Sequence, residues 1–150
     1  MHFSTLVATV AVAALPALGA NFDVTVGENN GFTFTPSSIS GALAGDTITF
    51  TFVSRNHTAT TTTFTNPCPP PVGGEGPGGF DTGFQNAVGG AQPVSVVTLA
   101  DSGTHFVSCR QNGGAHCQNG MVLVVNPTED QSLAAFTQHA RNDPIQTDRL

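Results

Sequence analysis

The chain is 150 residues long, carries a formal charge of −6, and draws all four of its cations from arginine. That length holds one ordinary domain and not comfortably two. So few cations leave no electrostatic footprint for binding nucleic acid, and the surface must be kept in solution by Gly, Ser, Thr, Asn and Gln instead.

The first twenty residues, MHFSTLVATVAVAALPALGA, read as a secretory signal. The apolar run Leu6–Leu15 is too short to span a bilayer and ends at Pro16 before small residues. The segment ahead of it offers His2 and the terminal amine but no Lys or Arg. Cleavage is expected after Gly19 or Ala20. No later segment reads as a membrane span, and the polar ending RNDPIQTDRL carries no lipid-anchor tail. The expected product is a soluble monomer, extracellular or held in the cell wall.

Past the signal, FDVTVG (Phe22–Gly27) alternates apolar and polar residues as a half-buried strand does. FTFTPSSI stays extended, with Pro36 marking an edge or a bend. DTITFTFVS is the clearest strand, with Ile48, Phe50 and Phe52 on one face and Thr47, Thr49 and Thr51 on the other. HTATTTTF, from His57, is a further extended segment. A long Pro- and Gly-rich stretch follows, read here as a spacer that carries Cys68. VSVVTL, THFVSC and MVLVVN are three more strands, the last apolar throughout and therefore buried on both sides. Thr128 and Gln131 have the spacing of a capping box, with Glu129 and Asp130 in the first turn of the helix it would open. Leu133, Phe136 and Ala140 recur at helical spacing. The whole predicts an all-β, Greek-key antiparallel sandwich with a short C-terminal helix. Its divisions are a signal over 1–20, a domain over 21–127, and a helix with a polar tail over 128–150.

Three cysteines in an oxidising compartment is an odd number. Cys109 and Cys117 could close a small loop and leave Cys68 free. Cys68 and Cys117 could instead join two loops and leave Cys109 as a thiolate. The longer ring is worth roughly 3–4 kcal/mol in chain entropy, which does not by itself choose the pairing. The neighbours add chemistry. Cys109, His116 and Met121 bring thiolate, imidazole and thioether into one strand–loop–strand unit, and His57 follows the DTITFTFVS strand. A trigonal plane of two His and one Cys with a weak axial Met suits copper in both its oxidation states.

Taken in order from Gly45 to Pro127, GDTITFTF, NHTATTTTF, PC, GFDTGF, HFVSC and HCQNGMVLVVNP resemble the cupredoxins. The likeness is to plant phytocyanins and to small secreted cupredoxin-like proteins of filamentous fungi. The resemblance implies one type 1 copper held by His57, Cys109, His116 and Met121. It also implies a Cys68–Cys117 disulfide clamping the ligand loop, and one-electron transfer or extracellular copper redox without an enzymatic site. The redox partner, a protein or a small-molecule reductant, is not named by the sequence. Two departures stand out. Six residues separate Cys109 from His116, with Gly113 and Gly114 as the added room, and His105 and Phe106 replace the usual aromatic residues before the ligand Cys.

Other readings compete at single positions. Met121 could simply open a buried strand. His105 reads as a buried or edge histidine, and His139 as a solvated one. Asn56 heads NHT, a formal N-glycosylation sequon, where a glycan would crowd the metal, so the site is expected to be unmodified. The alternative for the whole chain is a cupredoxin-fold wall or surface interaction protein with weak or no copper binding. A zinc site on the same Cys and His is disfavoured by the thioether.

Overall fold

The computed structural model describes residues 19–149. The apolar run of the expected secretory signal lies outside the described residues. Among the described residues no helix is long and apolar enough to cross a membrane.

Two four-stranded sheets face one another. The first contains β1 (Asn21–Val26), β2 (Phe34–Thr35), β4 (Thr47–Phe52) and β8 (Val94–Thr98), in the order β2-β1-β4-β8. The second contains β3 (Ser38–Ile39), β6 (Thr60–Thr62), β9 (His105–Ser108) and β10 (Val122–Val125), in the order β3-β10-β9-β6. A small third pair joins β5 (Asn56–His57) to β7 (Gln85–Asn86). Most pairings are antiparallel, as expected of the sandwich. Two are parallel: β1 beside β4, from Asn21↔Thr47 to Val26↔Phe52, and β10 beside β3. The chain thus leaves and re-enters each sheet, and strands distant in sequence become neighbours.

Alternation explains the core. Ile48, Phe50 and Phe52 on β4 are fully buried with Val24 and Val26 of β1. Each such side chain contributes about 1.5–3 kcal/mol by leaving water. From the facing sheet, Val107, Leu123 and Val125 join the same cluster, as do Cys109 and Met121. Among the described residues these two candidate donors are therefore anchored in the larger of the two core clusters.

The other face of β9 and β10 is covered by helix α2 (Leu133–Asn142), whose Phe136 and Ala140 pack on Phe106, Val122 and Val124. The capping box forms only in part. Gln131 N donates to Thr128 Oγ1 at 3.1 Å, but this closes a turn. The helix begins after Ser132, whose hydroxyl accepts from Ala135 N. Ser132 is itself a good cap, and it leaves Glu129 and Asp130 outside the first turn. His139 is also not simply solvated. Its Nδ1 donates to the Phe64 carbonyl at 2.8 Å, and its ring meets Phe64 edge-on.

Candidate metal centre

Cys109 follows β9, so the strand alternation that buries Val107 carries its sulfur into the core. His57 ends β5. His116 lies on a four-residue helical turn, α1 (Ala115–Gln118), and Met121 directly precedes β10. Cys109 Sγ lies 3.7 Å from His57 Nδ1 and 3.7 Å from His116 Nδ1, and the two nitrogens are 3.1 Å apart. An ion bonded to imidazole at about 2.0–2.1 Å and to thiolate at about 2.3 Å spaces such donors about 3.5–3.8 Å apart in a plane. The sulfur–nitrogen edges meet that spacing, and the nitrogen–nitrogen edge is somewhat shorter. Among the described residues this is the only group of three His, Cys or acidic side chains close enough to share an ion. Met121 is fully buried in the Cys109 cluster, and its N–H donates to the His116 carbonyl at 3.1 Å.

The donor triangle is electrostatically prepared for a cation. Burial holds the His57 pKa down at about 4, helped by the charge of His116 and then by Arg55. Burial, then Arg55, lowers His116 too. Both imidazoles therefore stay neutral at physiological pH, as ligands must. Burial pushes the Cys109 thiol up to about 11, against backbone and hydroxyl donors from Thr58 and a backbone donor from Gln111. Thr58 N–H reaches Cys109 Sγ at 3.4 Å. Those donors await a negative sulfur, which a bound cation would create by displacing the thiol proton. His57 Nε2, by contrast, is buried without a hydrogen-bond partner among the described residues. Gly27 lies against it, and a Cβ there would come within 3.0 Å of Nε2.

The sulfurs divide as the resemblance implied. Cys68 and Cys117 form a disulfide, and Cys109 is free and buried.

No family model matches the chain. An extracellular serine-rich protein of Arthroderma benhamiae is 32% identical over 142 residues, covering 93% of this chain and 52% of the relative. A probable GPI-anchored cupredoxin-1 of the same fungus is 30% identical over 136 residues, covering 90% of this chain and 66% of the relative. The fold and the donor set are those that the resemblance to the cupredoxins implied. The chain spans about half to two thirds of the length of those relatives. Among solved structures, a pseudoazurin from Hyphomicrobium denitrificans aligns with a TM-score of 0.47 and 23% identity, covering 71% of this chain and 74% of that one.

His57, Cys109 and His116, with Met121 buried in the same core cluster as Cys109, form a cluster like a type 1 copper site. The longer ligand loop closes by a left-handed turn. Asn112, Gly113 and Gly114 have φ of 55°, 60° and 92° in succession. Gly114 N donates to the Arg110 carbonyl and His116 N to the Gln111 carbonyl, so the added glycines supply the reversal that returns His116 to Cys109. Gly114 also has to be small, because a Cβ there would sit 3.1 Å from Pro69 beside the disulfide. His105 is buried as expected, 3.2 Å from Asp101, and is not near the donors. Asn56 Nδ2 faces Gln111 at 3.4 Å, and its Oδ1 is buried.

Sequence reasoning passed over the residues that brace the site. Thr58, Thr60, Thr61 and Thr62 are all buried. The hydroxyls of Thr60, Thr61 and Thr62 are met by the long loop that reads as a spacer. Thr60 Oγ1 donates to Asp81, and Thr61 Oγ1 accepts from Glu75 N and Phe80 N. Within GFDTGF, Asp81 also accepts from Gly73 N and Gly83 N, and Thr82 Oγ1 accepts from Ala59 N. The motif thus ties the loop to the strand segment that bears His57. The one available signal was a run of β-branched polar residues with no alternation. A cavity of about 340 Å³ lies beside β6 and the start of β9, and none of the four donors lines it.

Proposed function

We propose that the chain is a secreted or wall-held mononuclear type 1 copper protein that passes one electron at a time to a partner outside the cell. The observation that carries this reading is the buried triangle of Cys109, His57 and His116 with Met121 beside it. Bound copper would supply a one-electron Cu(II)/Cu(I) couple. Cys109, His57 and His116 would hold the ion, and Met121, buried with Cys109, would offer it a thioether. His116 is 8% exposed while the other three donors are fully buried, which makes its ring the route for the electron. Phe32 packs on that ring at 4.2 Å, and Arg55 lies over Phe32. Four protein donors leave no open position for substrate, so we read a carrier and not an enzyme. The extracellular and surface names of the fungal relatives support the location.

The protein loaded with Cu(II) should take up one ion, turn intensely blue, give a type 1 EPR signal and show a reversible redox wave. Cys109→Ser should abolish the colour and weaken copper binding beyond the roughly 10–100-fold typical of a supporting residue. A variant that stays blue would overturn the ligand set. A colourless wild type would favour the interaction-protein alternative, whose motive was the long ligand loop.

A further inference from the structure

Ala20 is the residue at which the chain joins the sandwich. Its carbonyl accepts from Thr47 N at 2.9 Å, and its N–H donates to Asp46 Oδ1 at 2.7 Å. The Asp46 carboxylate is buried, 6% exposed, and its other oxygen accepts from Leu43 N at 2.8 Å. Among the described residues no salt bridge includes Asp46. A buried carboxylate held by two neutral amides lacks a countercharge, and a buried charge is costly unless it is paired.

We propose that the leader is cut between Gly19 and Ala20, and that the new α-ammonium group of Ala20 is the countercharge of the buried Asp46 carboxylate. The sequence supports the same bond independently. Leader removal needs small residues at the last position before the cut and two before that, and Gly19 with Ala17 meets this. A cut after Ala20 would put Leu18 at the second of those positions and would also delete the donor to Asp46. The reaction is hydrolysis by a leader peptidase. Water gives its hydroxyl to the Gly19 carbonyl carbon and a hydrogen to the Ala20 nitrogen as the peptide bond breaks. The free amine, with an ordinary pKa of about 7.7–8.0, then takes up a proton beside the carboxylate. A neutral hydrogen bond becomes a charge-assisted one, shorter and stronger.

This inference rests on the secretory reading and not on the metal. The full chain would be expressed through the secretory pathway of a fungal host and the exported protein sequenced from its N-terminus and weighed intact. The expected first residue is Ala20. Export with any other first residue overturns the inference alone, whereas retention with the leader attached overturns the secretory reading with it. A second arm compares Asp46→Asn in the mature form and in a form that keeps Gly19, where the amine is one residue away. The melting temperature should fall by roughly 3–6 °C more in the mature form, and equal falls would overturn the ion pair. The wild-type amine gives an arm that needs no variant. Its acylation at neutral pH should be about tenfold slower folded than unfolded, one pKa unit of protection, and equal rates would count against the pairing.

Discussion

His57 and His116 meet at one point from regions built on different principles. The His57 region is held by backbone pairing and buried hydroxyls. β5 pairs with β7, Ala87 N donates to the Arg55 carbonyl at 2.7 Å, and the GFDTGF segment closes over Thr58–Thr62. The His116 region has almost no sheet of its own. It is a left-handed turn and a single helical turn, stapled to the Pro-rich loop by Cys68–Cys117. The difference teaches where length can change. Insertion into a paired, hydroxyl-bonded segment would shift its register, whereas a stapled loop can absorb glycines and still return its donor.

Breaking the staple should have the largest effect on stability. Cys68→Ala with Cys117→Ala should remove roughly 3–4 kcal/mol in urea unfolding and loosen copper at the His116 side. Unchanged copper affinity would mean that the turn holds His116 without the staple. The matching break in the other region is Asp81→Ala, which removes the acceptor of the Gly73 and Gly83 N–H groups and one partner of the Thr60 hydroxyl. A buried group left unpaired costs about 1–3 kcal/mol; water reaches Gly73 and in part Gly83, and Thr60 keeps Thr58, so the loss should be about 1–2 kcal/mol. Of the same size is Gly114→Ala, about 1–2 kcal/mol, from a φ of 92° that alanine tolerates poorly.

The mildest perturbation is pH on the metal-free protein. His57 has a folded pKa near 4 against 6.5 when free, so the unfolded chain binds more protons in that window. Stability is full above 6.5 and falls as pH drops towards 4. Cys109 runs the other way. Its folded pKa near 11 exceeds the free value of 9.0, so its contribution is full below 9.0 and is lost as pH rises through 11. Thermal melts should therefore show a plateau between about pH 6.5 and 9. Copper should flatten the acid limb by holding His57 neutral, and an unchanged acid limb in the loaded protein would argue that His57 is not bound.

Much of this was legible in the residues. β4 and β10 lie where alternation and continuous apolarity put them, because burial on one face or two leaves a period in the sequence. Cys109, His116 and Met121 were legible because a soft and borderline donor set within a dozen residues has few other uses. The bracing of His57 was not. The hydroxyls of Thr60 and Thr61 find partners about twenty residues away, at Asp81 and Phe80, and long-range pairing of polar groups has no period. The start of α2 was misplaced for a related reason. Thr128–Gln131 and Ser132–Ala135 both form capping bonds, and contact with Phe106 and Val122 decides which one opens the helix.

The C-terminal segment does more than cover β10. Asp143 Oδ2 accepts from Cys68 N at 2.8 Å, and its carbonyl accepts from Gln118 Nε2 at 2.7 Å. One residue thus grips both arms of the staple from outside. It lies downstream of all four candidate donors in the chain, so a ribosome delivers them before the part that steadies their loop. A nascent chain could meet a metal ion early, but the finished mounting for His116 must wait for the last stretch of synthesis.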